Sequence, residues 1–470
     1  MTLKKLDILF VNTPSAFGAY TSTKLGVYKQ AYPLLSFMSL SAFVKQRGFS
    51  TAVLDLAIEK NPYELLREKL NTLKPRFIGI TAATTFFHEA KEIAKICHQT
   101  LGSDVIIVCG GPHASALPQD CLTNSEIDIA MVGEGEKTLL EIIQGKKLAE
   151  INGIFYKKDD KIFSTPPREF IDNLDSLPFP DISLYDIKRY RCAKIVSRYS
   201  PVIQIETSRG CPNNCSFCAK SVFGRRFRTK SPARVVEEME YLAKNGTAEL
   251  RIIDDQFTAD LPRAKEICRL ILEKGLKIPW SLPCGVRVDR VDQEFFDLAK
   301  KAGCYQVSIG FESGDQNSLN SVDKGITLEQ SAKCMQMVKK AGLESIGFFM
   351  LGLPADTKES MQRTIDFAVK LMPTYVKASV TAPFPGSRLF EQYQKQGRIK
   401  TQDWSKYNFH KMADVYKHPN LSQATIEKYQ DRFYRSFYLN PRFLWTRLLK
   451  SLKEHTFWRD VYYGLKTFLP

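Results

Sequence analysis

The sequence predicts an α/β protein in three parts: an N-terminal doubly wound parallel sheet, a partial barrel of six βα units and an α-helical C-terminal segment. Three observations carry this. Short β-rich runs alternate with amphipathic segments of helical length through residues 1–150. The alternation resumes through residues 193–400 for six units at about 30-residue spacing, short of the eight that close a full barrel. It then stops, and residues 401–470 hold aromatic and basic side chains at helical spacing.

In the first part the runs are LDILFVN (6–12), STAVLDL (50–56), FIGITA (77–82), DVIIVCGG (104–111) and IDIAMVGEG (127–135), with a helix over 86–101 among the connections. Strands alternating with helices argue for a parallel sheet covered on both faces, which takes its ligands at the carboxyl ends of the strands. The turns Gly110-Gly111-Pro112-His113 and Gly133-Glu134-Gly135-Glu136 fall there. Residues 151–192 read as a linker, with KKDDK as a hairpin tip and a proline-rich run over 166–180. The barrel strands are PVIQIETS, AELRIIDD, PWSLPCGVRVD, YQVSIGFES, ESIGFFMLG and YVKASVTAPF, and Ser231 with Pro232 opens one of the helices that follow.

Composition bounds the function. The 470 residues exceed what one core serves, and 44% apolar with 25% charged residues is ordinary for a globular chain. No run offers the roughly 18 uninterrupted apolar residues of a membrane span. The N-terminus is basic, then apolar. Asp7 interrupts that run and no small-residue cleavage site follows, so it reads as a buried strand of a cytoplasmic protein. A net charge of +16 predicts attraction to anionic partners. Eleven cysteines, odd in number and scattered, are not a disulfide framework.

Only three of them cluster, in ETSRGCPNNCSFCAK, after the first barrel strand. Pro212, Asn213 and Asn214 supply a turn that lets three thiolates of one loop meet three corners of a cube. A structural zinc site wants four protein ligands, typically as two pairs, but Cys268, Cys284, Cys304 and Cys334 stand alone. Three ligands without a fourth leave an open metal position.

This CxxxCxxC motif, with Phe217 just before its last cysteine, resembles the radical S-adenosylmethionine (SAM) superfamily. The resemblance implies a TIM-type barrel whose Cys211, Cys215 and Cys218 hold a 4Fe–4S cluster. The fourth iron then chelates SAM, and an electron from the cluster cleaves the sulfonium to methionine and a 5′-deoxyadenosyl radical. It also implies cofactor contacts for Phe217, for Glu312 and Ser313 of SIGFES, for Arg287 of CGVRVD and for Asp255 of RIIDDQF. Gly352, with Gly347, would let adenine approach the backbone.

An open Rossmann-like sheet fused before such a barrel, with the phrases GGPHASALP and VGEGE, is similar to the cobalamin-binding class of these enzymes. The DxHxxG pattern that places a histidine on cobalt is missing, which implies cobalamin bound without a protein histidine or a domain that binds nothing. Thr81 and Thr84 of TAATT and Gly110 and Gly111 are the candidate contacts, and His113 reads as a loop-structuring residue. The resemblance implies cobalamin-dependent methyl transfer to an unactivated carbon of a small or lipid-like substrate, fed by a reductant such as flavodoxin or ferredoxin. Two alternatives stay open: a cobalamin-independent radical oxidation, cyclisation or rearrangement, and a non-catalytic iron–sulfur carrier. The basic, aromatic C-terminal region suits either an anionic membrane surface or packing against the barrel. No nucleic acid is expected, because no RNA-binding module is appended.

Overall fold

The computed structural model describes residues 6–16, 31–192, 197–408, 414–453, 455–458 and 460–462. The predicted basic start, 1–5, and the last eight residues lie outside the described residues. The first sheet takes β1 (Ile8–Asn12), β2 (Thr51–Asp55), β3 (Phe77–Thr81), β4 (Ile106–Gly110) and β5 (Ile129–Met131), all parallel, in the order β2-β1-β3-β4-β5. Ile8 to Val11 are buried without alternation, as a strand covered on both faces requires. The strand order reverses between β1 and β3, and such a switch point opens a crevice at the carboxyl ends.

The KKDDK hairpin is not linker. Of its arms, β6 (Ile154–Lys158) pairs antiparallel with β5 and β7 (Lys161–Ser164) pairs antiparallel with β6, completing a seven-stranded sheet. Asp159 and Asp160 take the positive φ of a two-residue hairpin turn. The remainder of the linker is strapped down: Asp181 accepts from Ser41 at 2.6 Å, and Tyr190 donates to Asp55 at 2.8 Å.

The barrel bears out the six predicted units. Strands β8 (Val202–Ile205), β11 (Glu249–Ile252), β12 (Trp280–Val286), β13 (Cys304–Glu312), β14 (Glu344–Leu351) and β15 (Tyr375–Val380) run parallel in chain order, open between β8 and β15. A two-stranded ribbon, β9 (Ser208–Arg209) with β10 (Arg228–Thr229), brackets the cysteine loop. The helices start on side-chain caps: Ser231, Asp260, Asp292, Thr327 and Thr357 each accept from a backbone N–H three residues on.

The open edge at β15 is closed by the helix Gln423–Tyr438. Phe433 and Phe437 are fully buried beneath it. Its Tyr434 hydroxyl accepts from Ala378 N and donates to Ala378 O, and Tyr438 does the same for Val376, at 3.1–3.2 Å. Phenols spaced by one helical turn thus satisfy the backbone groups that a seventh strand would have paired.

Candidate functional site

The cysteine loop is held by its neighbours rather than by its own length. Gly210, just before Cys211, has φ +82°, and a Cβ there would lie 2.3 Å from Arg226 O, so only glycine fits. Ser216 donates its N–H to Val322 O, and its carbonyl accepts from Leu389 N, both at 2.9 Å. Lys220 donates to the carbonyls of Cys211 and Asn213. Two donors address the sulfurs: Asn213 Nδ2 lies 3.3 Å from Cys211 Sγ, and Arg287 Nη1 lies 3.7 Å from Cys215 Sγ. Among the described residues no three His, Cys, Asp or Glu side chains gather tightly enough for a single metal ion. Three thiols of one loop, approached by an amide and a guanidinium and lacking a fourth ligand, suit separate corners of an iron–sulfur cluster.

Around the barrel mouth the predicted residues divide. Arg287 is buried, bonded to Asp289 and to Lys324 O at 2.8 Å, and sits against the cluster loop. Glu312 ends β13 with φ +62°, where the register with β14 slips, and its Oε1 accepts from Lys324 at 2.6 Å. A glutamate held in the left-handed region stores backbone strain of the kind found at functional sites. Gly310 makes room for this pair, since a Cβ there would meet Glu312 Oε1 at 2.7 Å. Burial, with Asp254 beside it, raises the pKa of Asp255. Asp254 itself braces the strand end, accepting from Thr207 N, Thr207 Oγ1 and Ser208 Oγ at 2.5–2.6 Å. Phe217 is half-buried against the core.

Three of the expected contacts are taken up by the protein's own packing. Ser313 is fully buried, and its hydroxyl is used by Thr364 and by Asp315 N, so it braces the turn after β13. Gly352 has φ +76° and packs on the C-terminal helix: a Cβ would meet Ile426 Cδ1 at 2.8 Å, while Gly347 is closed off by Phe349, Pro373 and Phe311. Neither glycine is open to a base. Thr84 lies off the cavity described next, buried with its hydroxyl 3.3 Å from His113 Nδ1. His113 has no exposed surface, donates from Nε2 to the Asp120 carboxylate at 2.9 Å, and stacks on Phe87; Trp404 donates to the same Asp120 oxygen at 2.8 Å. The histidine joins the first sheet to the chain beyond the barrel, as a loop-structuring residue does.

A cavity of about 440 Å³ lies where the two sheets face each other. From the first sheet come Phe10, Ile80, Thr81, Val108, Gly110 and Gly111; from the barrel come Glu206, Asp255 and the run Ala219–Phe223 that leaves Cys218. Gly111, at φ +94°, has no room for a side chain, since a Cβ would lie 2.8 Å from Thr81 Oγ1. The wall is mostly apolar, with bare backbone at Gly110–Gly111, which fits a flat, largely apolar macrocycle held without a histidine.

One feature of this wall escaped sequence reasoning. Glu134 and Glu136, the acids of VGEGE, converge on Arg209 and Arg228 of the ribbon, all buried. Arg209 Nε also reaches Glu206 at 2.6 Å. Burial raises the Glu206 pKa more than Arg209 lowers it, whereas at Glu136 the charge and hydrogen bond of Arg209 outweigh burial and the pKa falls.

Comparison with known proteins agrees with this geometry. The Radical SAM superfamily profile matches residues 205–368, and that of the B12 binding domain matches residues 23–143. A Pyrococcus horikoshii protein named as an uncharacterized methyltransferase is 33% identical over 432 residues, covering 90% of each chain. The anaerobic magnesium-protoporphyrin IX monomethyl ester cyclase of Rubrivivax gelatinosus is 29% identical, over 86% of this chain and 73% of that one. Among solved structures, the fold is shared with the cobalamin-dependent SAM radical enzyme OxsB (TM-score 0.75, 18% identity, 99% of this chain and 72% of that one). It is shared also with the radical SAM methyltransferase TsrM of Kitasatospora setae (TM-score 0.68, 22% identity, 84% and 75%).

Proposed function

Since the chain belongs to the radical SAM superfamily, in the branch that carries an N-terminal B12-binding domain, we propose that it is a cobalamin-dependent methyltransferase acting on an unactivated carbon of a small apolar molecule. The cavity carries this reading: the segment leaving Cys218 and the carboxyl ends of β1, β3 and β4 line one and the same space. When bound, the cluster supplies the electron that cleaves SAM, and cobalamin supplies the methyl group. The protein's own residues do the rest. Cys211, Cys215 and Cys218 anchor the cluster. Arg287 sets a cation beside Cys215, where it steadies thiolate charge and attracts the carboxylate of SAM. Glu312, fixed by Lys324, offers its remaining oxygen at the mouth, and Asp255 and Phe217 complete the contacts proposed for SAM. Thr81, Gly110 and Gly111 are the proposed cobalamin wall, whose apolar neighbours exclude water from the reacting carbon.

The mostly apolar lining also favours a greasy substrate, and a relative is named as the hopanoid C-3 methylase of Methylococcus capsulatus. Flavodoxin or ferredoxin would deliver the electron. No helix among the described residues is long and apolar enough to cross a membrane. We propose a cytoplasmic protein with peripheral contact at the inner membrane face. The match to a cyclase favours one alternative, a radical cyclisation in the same cavity. Anaerobic reconstitution decides between them: the methyltransferase reading requires bound cobalamin and SAM-dependent methylation of it, along with 5′-deoxyadenosine formation. Cleavage of SAM with no cobalamin bound would support the alternative, and no cleavage at all would overturn both.

A further inference from the structure

The helix Pro441–Lys453 is amphipathic with its faces reversed. Phe443, Thr446, Arg447 and Lys450, at i, i+3, i+4 and i+7, face the body of the protein over a cavity of about 360 Å³ that also includes Lys339, Glu344 and Thr374. There Arg447 bonds to Tyr375 and Asp460, and Lys450 to Glu344. The opposite face turns to solvent: Leu444 is 50% exposed, Trp445 62%, Leu449 52% and Leu452 55%, and Trp458 beyond it is 80% exposed. A helix that served only the fold would turn the leucines and the tryptophan inward and the cations out. Exposed apolar side chains contiguous on one helix mark a docking surface.

The rim of the patch says what docks there. The sequence of the helix, PRFLWTRLLKSLK, contains four cations and no acid. Arg442 and Lys453 flank the apolar stripe and are exposed, as are Arg432 and Arg435 on the preceding helix. A second copy of this face would bring cations against cations. Tryptophan beside lysine and arginine, above leucine, is instead the composition of helices lying in the headgroup region of a bilayer. We propose that Leu444, Trp445, Leu449, Leu452 and Trp458 insert into the surface of an anionic lipid bilayer, with Arg442 and Lys453 against its phosphates. This deepens the peripheral location proposed above and is independent of methyl transfer, so either can fail alone.

The test uses the full chain with its cluster reconstituted, sedimented with vesicles of phosphatidylglycerol and phosphatidylcholine or of phosphatidylcholine alone. Binding is expected to the anionic vesicles at low salt, weaker at high salt, with a blue shift of tryptophan emission. The double variant Trp445→Ser, Leu449→Ser alters only exposed side chains, and unchanged iron content and circular dichroism would verify its fold. It should lose the binding and the shift. Arg442→Gln with Lys453→Gln leaves the apolar stripe in place, and should weaken binding about thirtyfold, at about 1 kcal/mol per cation. The proposal is overturned if the full chain ignores anionic vesicles at low salt, or if the serine variant binds as well as the parent. It is overturned equally if lipid-free protein sediments as a dimer that the serine variant dissociates, since a second copy then covers the face.

Discussion

Arg209, two residues ahead of Cys211, donates through Nη2 to Glu136 Oε1 at 2.6 Å, across the junction between the two sheets. The same guanidinium reaches Glu134 at 3.1 Å and Glu206 at 2.6 Å, so one buried cation ties the VGEGE turn of the first domain to the strand that feeds the cysteine loop. The domain proposed for cobalamin and the loop proposed for the cluster are thereby registered on each other by charge.

Arg209→Ala leaves the buried Glu136 and the partly buried Glu206 without their cation, while Glu134 keeps Arg228, and should cost about 3–5 kcal/mol in urea unfolding. Glu136→Gln should cost less, and the double variant less than the sum, because the pair is removed together. The pH dependence has a definite sign. The folded pKa of Glu136 lies below its ordinary 4.5. Its contribution is therefore present above pH 4.5 and lost as pH falls through the lowered value. Glu206 acts oppositely, because its raised pKa relieves a penalty on acidification. Glu206→Gln should steepen the acid loss of stability, and an unchanged profile would contradict the assignment.

The cysteines make a second prediction. Cys211→Ala, Cys215→Ala and Cys218→Ala should each abolish the brown chromophore and SAM cleavage, and the triple variant should be no worse than any single one. Cys268 and Cys334, fully buried in helices, are the controls: replacement by alanine should leave iron content unchanged. Full 5′-deoxyadenosine formation by any single variant of the three would sink the cluster assignment.

Gly352→Ala separates packing from cofactor binding. A Cβ at φ +76° is strained, and it collides with Ile426 Cδ1. The variant should lose about 1–3 kcal/mol of stability while its affinity for SAM stays the same. Ile426→Val in the same chain, by trimming the colliding methyl, should restore part of the loss. Weakened SAM binding at unchanged stability would return Gly352 to the cofactor.

The sequence made the periodic features legible and left the convergent ones hidden. Both sheets, their strand boundaries to within a few residues, the Ser231 cap and the cysteine loop follow from local pattern. Local pattern cannot show that Glu136 meets Arg209, which lies 73 positions away, or that Lys324 fixes Glu312. Glycine was the least readable residue. Gly111 and Gly352 both adopt positive φ, yet one lines a cavity and the other admits a helix, and only the tertiary neighbour distinguishes them. The composition of KKDDK marks the turn at Asp159–Asp160, but the strand it pairs with, β5, is remote from the tip. The C-terminal region combines two roles under one composition: Tyr434 and Tyr438 cap an edge strand, while Trp445 faces outward.

Lys377 offers a last test, on the concave side of the barrel. It pairs in register with Phe348 of β14, and parallel partners share a face. The ring of Phe348 lies 3.6 Å from the position a Cβ would take at Gly285 on β12, so this face is the interior of the curved sheet. Burial there pushes the Lys377 ammonium down from 10.5 to about 8. Below pH 8 the lysine is charged in both folded and unfolded chains, so it adds no pH dependence there. Between pH 8 and 10.5 the unfolded chain still binds the proton while the folded one has released it, so stability should rise with pH across that window. Lys377→Met removes the titrating group, so the rise between pH 8 and 10.5 should be missing from its stability profile. Urea unfolding of both proteins at pH 7 and pH 10 reads this directly. A rise of equal size in Lys377→Met would mean that another group titrates in this window.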